Sequence, residues 1–436
     1  MTDAEQRVLA EIEARSEELV ALASELIRFD TTARESDDPP RDEAALQRSL
    51  GERLGAAGAE IDIWEPVPED VADSRLVPHG LGFEGRPQLL ARFAGAGGGR
   101  SLLLNGHIDV VSVEPRERWT NDPFAPVVRE GRLYGRGAVD MKGGVAAMTF
   151  AAETLARLGV RLEGDLLVNT VTDEESTGAG GVASVAHGIR ADAGIVTEPS
   201  GFDVWVACRG SLMPTIAVPG QPGHAGLPQP DWREGGGVNA IDKAAIVQEG
   251  LRQLEEEWRS RPDNQHPHLA PGEIVPTLIA GGEWIVSYPA SCSISYHVAY
   301  LPGQADEGGW GNAVERELEA CISRAASDDS WLAEHPPRVT WATDVPAAEV
   351  SVDEPIVETM LAASAAAGRP GRVAGMNSWH DGATYIHAGT PCICFGPGPI
   401  EGAHTVDESV AVLDLVDCAK AVALAAMRFC GVSDRG

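Results

Sequence analysis

Positive charge is scarce in this sequence. The chain has 34 lysines and arginines against 66 aspartates and glutamates, which gives a formal net charge of −32. Such a charge repels polyphosphates and anionic lipid surfaces, because electrostatic attraction supplies most of the affinity in both cases. We therefore exclude nucleic acids and membranes as partners.

Paired cysteines and long apolar runs are also lacking. The seven cysteines are odd in number and include no CxxC pair, so the sequence indicates neither a disulfide framework nor a thiolate zinc site. The start, MTDAEQRVLAEIEARSEELV, is acidic where a signal peptide has a basic and then an apolar stretch, and no later run has the ~18 apolar residues of a membrane span. We expect a cytoplasmic protein.

Helical and strand-like patterns alternate along most of the chain. Helical spacing of apolar residues covers residues 4–27, 43–54, 144–158 and 410–429. Short apolar runs typical of buried strands occur at 102–104, 166–171, 195–196 and 392–395. The alternation predicts the α/β class, with a mixed sheet covered by helices.

The pattern changes between about residues 204 and 344. Strand-like runs at 204–218, 274–279 and 292–301 combine there with helical runs at 238–259 and 314–326. A chain of 436 residues exceeds what one hydrophobic core usually supports. We expect residues 1–203 and 345–436 to form one domain, and 204–344 to form an inserted α+β domain.

Side chains that bind metals follow several of the predicted strands where each strand ends. In an open α/β sheet, ligands bind beyond the carboxyl ends of the strands, so these side chains should meet at one edge. They are His107 and Asp109 after LLLNG, Glu174 and Glu175 after LLVNTVTD, Glu198 after GIVT, and His404 after PCICFGPG.

Asp140 joins this set from the glycine-rich turn GRGAVDMKGG, which opens the helix predicted from Gly144. A lone histidine after a strand, or two adjacent glutamates, is usually an ordinary loop or turn. Several carboxylates at one edge, however, raise one another's pKa unless cations neutralise them. Nitrogen and oxygen donors without sulfur suit zinc, cobalt or manganese. The convergence therefore predicts a metal site.

Six motifs match, in order, those of the M20 metallopeptidase family, which the sequence resembles from about residue 20 to its end. They are GHIDVV (106–111), GRGAVDMKGG (135–144), TDEES (172–176), TEPS (197–200), PGHAG (222–226) and GPGPIEGAHTVDES (396–409). The resemblance, to the branch of acetylornithine deacetylase and succinyl-diaminopimelate desuccinylase, implies a dinuclear zinc exopeptidase-like catalytic domain with an inserted lid and dimerisation domain.

The same resemblance implies two divalent metal ions per chain. Zinc is the first expectation, with cobalt or manganese as alternatives. His107 and Glu198 would hold one ion, Glu175 and His404 would hold the other, and Asp140 would bridge them.

Catalytic roles also follow from the resemblance. Asp109 would hydrogen-bond His107 and fix its tautomer, and Glu174 would be the general base for the attacking water. A non-proline cis peptide is expected between Asp140 and Met141. His224, in the inserted segment, would reach the active site of a partner subunit and stabilise an oxyanion, which implies a homodimer.

Two segments depart from the family pattern. Relatives bind substrate carboxylates with an asparagine and an arginine where VSYP and HVAYLPG have Val286 and Ala299 here. The segment NSWHDGATY has Trp379, His380 and Asp381, without the arginine that often follows the aspartate, and we expect these three residues to bind substrate. The usual anion clamp is missing.

The leading hypothesis is a metal-dependent deacylase that cleaves the amide bond of a small N-acyl amine or N-acyl amino acid. A dipeptidase or carboxypeptidase of the same family, or a catalytically idle metal-binding dimer, are the alternatives. Glu174 speaks against the idle dimer, because metal binding alone does not need it. Unless Arg209 fills the place of the missing arginine, the substrate's amine half should be neutral, aromatic or cationic.

Overall fold

The computed structural model describes residues 1–34 and 38–433. The chain forms two compact units. Unit 1 consists of Met1–Ala207, Glu349–Gly375 and His380–Gly436, and unit 2 consists of Cys208–Ala348 and Met376–Trp379.

Helices are distributed over both units. In chain order they are α1 (Asp3–Ala14), α2 (Ser16–Arg28), α3 (Glu43–Ala56), α4 (Lys142–Arg157), α5 (Glu174–Thr177), α6 (Ala179–Ala186), α7 (Ala240–Trp258), α8 (Asn312–Ser327), α9 (Ser330–Glu334), α10 (Pro355–Ala366), α11 (Gly382–His387) and α12 (Val412–Cys430). None of the described helices combines the length and the apolar character that a bilayer crossing needs.

Strands likewise occur in both units. They are β1 (Glu60–Trp64), β2 (Gln88–Phe93), β3 (Leu102–His107), β4 (Val127–Arg129), β5 (Arg132–Tyr134), β6 (Leu166–Val171), β7 (Ala193–Val196), β8 (Val204–Cys208), β9 (Gly210–Pro219), β10 (Gly223–His224), β11 (Glu273–Gly281), β12 (Ser287–Tyr288), β13 (Ser291–Tyr300), β14 (Arg338–Val345), β15 (Ala348–Glu349), β16 (Val373–Met376), β17 (Cys392–Cys394) and β18 (Ser409–Ala411).

The large sheet of unit 1 is mixed. Its strand order is β1-β2-β6-β3-β7-β17-β8-β15, and β16 pairs with β8. The central strands β6, β3, β7 and β17 run parallel to one another, whereas β1 and β2 pair antiparallel. Every residue of β3, β6 and β7 is buried, which explains the short apolar runs that the sequence shows in them; the polar residues of β3 and β6, such as Asn105 and Asn169, are buried as well.

Helices cover this sheet. The buried helix α4 packs against β3, α2 and α12, while α11 packs against α6, β7 and β17. The α/β class and the mixed sheet covered by helices are therefore confirmed.

Two predicted elements are each divided in the structure. The single helix expected over residues 4–27 is two helices, because the backbone leaves helical geometry at Arg15 (φ −107°, ψ 20°). The guanidinium of Arg15 is buried there and pairs with Glu18 and Glu153. The run at 204–218 is two strands, β8 in the mixed sheet and β9 in unit 2.

Unit 2 is built on an antiparallel sheet of order β11-β13-β9-β14. Its helix α7 packs against β11, β13 and β9, and its core includes Trp258, Tyr300 and Leu251. The long segment of this unit begins at Cys208 and ends at Ala348, where the sequence suggested 204 and 344. The difference at the start arises because Val204–Ala207 belong to unit 1, where β8 pairs with β17.

Candidate metal centre

The parallel strands of unit 1 deliver their polar side chains to one edge of the sheet, which we call the carboxyl edge. His107 is the last residue of β3, and Glu198 lies two residues beyond β7. Glu174 and Glu175 begin α5, shortly after β6, and His404 follows β17. Neighbouring parallel strands place their carboxyl ends together, so residues far apart in sequence become neighbours.

Two groups of ligand-type atoms meet at this edge, and Asp140 belongs to both. The first group is His107, Asp140 and Glu198, and the second is Asp140, Glu175 and His404. Within each group the candidate ligand atoms lie within 4.8 Å of one another. Asp140 Oδ1 lies 3.2 Å from His107 Nε2, while its Oδ2 lies 3.3 Å from His404 Nε2. One carboxylate thus presents one oxygen to each group.

Each of the two groups contains one further close pair of candidate ligand atoms. His107 Nε2 lies 3.7 Å from Glu198 Oε1. His404 Nε2 lies 3.1 Å from Glu175 Oε2. These donor atoms are imidazole nitrogens and carboxylate oxygens without sulfur, the set that zinc, cobalt or manganese accept.

Several carboxylates are buried together at this edge, and their negative charges repel one another. Burial raises the pKa of Glu198 well above its usual value, and the negative charge of Asp140 raises it further. Burial also raises the pKa of Glu174, and Glu198 and Asp381 add to that shift. Bound cations would relieve this repulsion, so the residues present fit a pair of divalent ions.

Asp109 contacts its neighbours differently from the expected arrangement. His107 Nδ1 lies 2.9 Å from the main-chain oxygen of Asp109 but 3.6 Å from its carboxylate Oδ1. The carboxylate instead accepts hydrogen bonds from the backbone N–H groups of Glu174 and Glu175, at 3.2 and 3.0 Å. In this structure the carbonyl oxygen orients the imidazole, whereas the side chain holds the start of α5.

The turn before α5 is fixed by buried polar contacts. Asp173 adopts a left-handed conformation (φ 64°), which aspartate tolerates better than most residues. Its carboxylate lies 2.7 Å from Arg34 Nη2, and both side chains are buried. The preceding Thr172 donates its N–H to Gln88 Oε1 at 2.9 Å. These contacts set the direction in which Glu174 and Glu175 leave the sheet.

Glu408 supports Asp140 and was not among the residues predicted to form the site. Its buried carboxylate accepts hydrogen bonds from the backbone N–H groups of Gly137, Val139 and Asp140 at 2.8–3.2 Å. It also pairs with the buried Arg136 at 2.6 Å. The sequence feature that could have identified Glu408 is its position in the last motif, four residues after His404.

Close packing fixes the start of α4 behind Asp140. A Cβ on Gly144 would lie 2.1 Å from the main-chain oxygen of Thr197, so only glycine allows the helix to approach the end of β7 this closely. The peptide bond from Asp140 to Met141 is cis, as the resemblance implied. The ammonium of Lys142 is buried and donates to the main-chain oxygen of Phe29 at 2.8 Å.

His224 lies in unit 2, where β10 pairs with β12. Its side chain is exposed, and Nδ1 accepts a hydrogen bond from the N–H of Gly226 at 3.1 Å. A neutral imidazole that accepts at Nδ1 carries its hydrogen on Nε2. His224 therefore offers an N–H donor to whatever lies beyond Nε2.

The residues expected to bind substrate fall in both units. Trp379 belongs to unit 2, while His380 and Asp381 belong to unit 1 and are buried. Burial lowers the pKa of His380 to about 4, so its imidazole is neutral at physiological pH.

Arg209, the possible substitute for the missing arginine, is engaged within unit 2. Its guanidinium donates to the main-chain oxygens of Asn377 and Pro271 at 2.8 and 3.1 Å and lies 3.5 Å from Glu273. Ala299 is buried and Val286 is exposed. Neither of the latter side chains offers a donor to an anion.

Comparisons with known proteins show which proteins this chain resembles. The model of peptidase family M20/M25/M40 matches residues 103–428. Over 437 residues the chain is 30% identical to the N-formyl-4-amino-5-aminomethyl-2-methylpyrimidine deformylase of Bacillus subtilis, with 94% of each chain covered. It is 38% identical over 219 residues to the succinyl-diaminopimelate desuccinylase of Leptothrix cholodnii, covering 48% of this chain and 52% of the relative.

A solved structure shares the fold over nearly the whole length. It is the YXEP protein of Bacillus subtilis, described as a dinuclear metal-binding peptidase of family M20. The TM-score is 0.62 at 14% sequence identity, and 96% of this chain and 99% of that chain are covered.

Proposed function

The chain belongs to peptidase family M20/M25/M40, and we propose that within this family it removes a formyl or similarly small acyl group from an amine that carries no carboxylate. It is a metal-dependent hydrolase that cleaves amide bonds, as its deformylase and desuccinylase relatives do. The hypothesis of a catalytically idle dimer is therefore set aside.

The arrangement around Asp140 supports a dinuclear centre. We propose that His107 and Glu198 bind one ion, that Glu175 and His404 bind the other, and that Asp140 bridges them. Zinc is the first candidate, with cobalt and manganese as alternatives, because the donors are nitrogen and oxygen atoms. Bound at this edge, the two ions would polarise the amide carbonyl and make a water molecule acidic.

Glu174 is the proposed general base. Its carboxylate, next to Glu175 at the start of α5, takes a proton from the attacking water and returns it to the nitrogen of the departing amine. Asp109 holds the N-terminus of α5 through two hydrogen bonds and so positions both glutamates. The Nε2–H of His224 is suited to donate to the oxyanion that forms at the carbonyl carbon.

Unit 2 carries a surface that supports the proposed homodimer and the role of this unit as a lid and dimerisation domain. Strand β11 is an edge strand of its sheet, and Leu278 and Ile279 on it are 70% and 65% exposed. Trp284 and Ile285, in the segment after β11, are 69% and 94% exposed. An exposed apolar edge strand is a common surface for pairing with a second chain.

All seven cysteines are buried as thiols, which supports the proposed location in the reducing cytoplasm.

The character of the amine half follows from two agreeing observations. The deformylase relative that matches over 94% of its length acts on an aromatic aminopyrimidine whose name includes no acid group. By the resemblance to the family, Val286 and Ala299 stand where many members carry an asparagine and an arginine for substrate carboxylates, and Arg209 is engaged elsewhere in unit 2. We therefore propose an aromatic, neutral or cationic amine, with an aminopyrimidine as the first candidate.

The test compares an N-formyl amino acid with its decarboxylated analogue and with the N-formyl aminopyrimidine. The missing charge-assisted contact corresponds to roughly ten- to a hundred-fold in binding, so we expect the acid to be the poorest substrate in kcat/KM. Chelation followed by dialysis should abolish activity, and zinc or cobalt should restore it. Tenfold preference for the free acid would refute the proposed substrate class, and full activity without metal would refute the mechanism.

A further inference from the structure

Asp381 is a buried carboxylate without a structural partner. It occupies the position before α11 where aspartate commonly caps a helix, yet its side chain makes no capping hydrogen bond. The residue is 1% exposed. Within residues 1–34 and 38–433, neither of its carboxylate oxygens has a hydrogen-bond partner. A buried carboxylate in this state destabilises the fold unless a ligand satisfies it.

The side chain lies against α6 and close to the carboxyl edge. A Cβ on Gly181 of α6 would lie 2.5 Å from Asp381 Oδ1, so the glycine makes room for the carboxylate. The charge of Asp381 contributes to the raised pKa of both Glu174 and Glu198. A Cβ on Gly382, the next residue, would lie 3.2 Å from Cγ2 of Val196, the last residue of β7, so Asp381 lies beside the carboxyl end of that strand.

The neighbouring residue His380 helps to define which kind of ligand would fit beside Asp381. His380 is also buried, and its Nδ1 has no hydrogen-bond partner among the described residues. Burial raises the pKa of Asp381 to about 8, so a cationic ligand is what favours its ionised form. In that form Asp381 offers two acceptor oxygens side by side, and its companion is a neutral imidazole. Two parallel acceptors match two parallel N–H donors, which is the geometry by which guanidinium groups bind carboxylates in bidentate fashion.

We propose that Asp381 binds the planar N–C–N donor edge of the substrate's amine half, as presented by a protonated aminopyrimidine or another amidine. This inference rests on the proposed function, which places an aromatic amine in the same site. A ring nitrogen and the adjacent amino group each donate to one oxygen of Asp381. The residue thereby selects amidine-type amines over other amines of similar size.

The kinetic test compares three formyl amides: the aminopyrimidine derivative, N-formylbenzylamine, and a mono-formylated aliphatic diamine. For Asp381→Asn we expect kcat/KM to fall roughly ten- to a hundred-fold with the aminopyrimidine, mainly through KM, and to change little with the benzylamine. Asp353→Asn, at an exposed turn of unit 1, is the matched control. An equal fall with the benzylamine, or with the aliphatic ammonium, would overturn the proposal.

A second variant displaces the carboxylate without removing it. Gly181→Ala places a methyl group 2.5 Å from Asp381 Oδ1, too close for the carboxylate to stay where it is, so it should cause the same selective loss for the aminopyrimidine. Melting temperature separates ligand binding from a structural role: Asp381→Asn should leave the metal-free protein at least as stable as wild type, because it removes a buried carboxyl group that has no hydrogen-bond partner among the described residues. A clear fall in its melting temperature would contradict the proposal.

Calorimetry measures the subsite independently of turnover. The free 5-aminomethyl-4-aminopyrimidine should bind metal-free wild-type protein and bind Asp381→Asn at least ten times more weakly. Equal binding by both proteins would refute the role of Asp381, even if wild type hydrolyses formyl amides. Binding that depends on Asp381 in a protein that hydrolyses none of the three amides would instead refute the proposed function.

Discussion

At the scale of single residues, we assign different roles to Glu174 and Glu175, the two adjacent glutamates at the start of α5. Glu175 lies 3.1 Å from His404 and belongs to a ligand group, whereas Glu174 belongs to neither group. Glu174→Gln should therefore retain metal but lose roughly two or more orders of magnitude in kcat, the usual effect of losing a general base. Glu175→Gln should lose metal occupancy. Elemental analysis of both variants, together with kcat, tests this assignment, and the reverse pattern of metal loss would exchange the two roles.

The sequence predicts the position of a site residue where a buried strand leads directly to it, but it does not predict the contacts of individual atoms. His107 and Glu198 follow buried apolar runs, so their meeting at one edge could be anticipated from the parallel sheet. The contact of Asp109 could not, because one residue offers both a carbonyl and a carboxylate and only backbone geometry decides which one faces His107. The missing partners of Asp381 are likewise visible only in three dimensions.

At the level of elements, the glycine-rich turn 135–140 depends on Glu408. Three backbone N–H groups of this turn donate to its carboxylate, which also neutralises the buried Arg136. Glu408→Gln should lower the unfolding free energy by about 3–5 kcal/mol, because it leaves a buried guanidinium unpaired. Since the turn carries Asp140, metal affinity should also fall, roughly ten- to a hundred-fold.

Urea unfolding of the metal-free protein and zinc titration measure these two effects. Glu401→Gln is a matched control on the exposed part of the same segment and should change stability by less than about 0.5 kcal/mol. If Glu408→Gln bound zinc as tightly as the control, the carboxylate would be dispensable for presenting Asp140.

Buried elements with a clear apolar pattern could be predicted from the sequence, whereas an exposed strand and a break between two helices could not. Strand β6 has the predicted bounds, because four of its six residues are apolar and the whole strand is buried. The edge strand β1 was missed although EIDIW alternates polar and apolar residues over Glu60–Ile63, because the run is short and all but its last residue are exposed. The break between α1 and α2 was also missed, because it depends on the contacts of Arg15 with Glu18 and Glu153 in the folded unit.

At the scale of the whole molecule, we propose a homodimer in which His224 acts in the active site of the partner subunit. Its Nε2 is left as a donor by the hydrogen bond at Nδ1, and it lies on an exposed strand of unit 2. His224→Ala and Glu174→Gln should each be nearly inactive as homodimers. In a heterodimer of the two, one site combines an intact Glu174 with an intact His224 from the other chain, so mixing the variants should restore activity.

The activity recovered on mixing the two variants shows whether His224 acts in the partner's active site or within its own chain. Random exchange of subunits gives about half heterodimers, each with one complete site, so roughly a quarter of wild-type activity is expected at equal concentrations. Differently tagged chains, purified through both tags, establish that heterodimers have formed. Without recovery in such heterodimers, His224 would act within its own chain or not at all, and the donor at the oxyanion would have to come from the chain that holds the metals. With recovery, each active site is complete only in the dimer, and dissociation on dilution should lower kcat in step with the fraction of dimer.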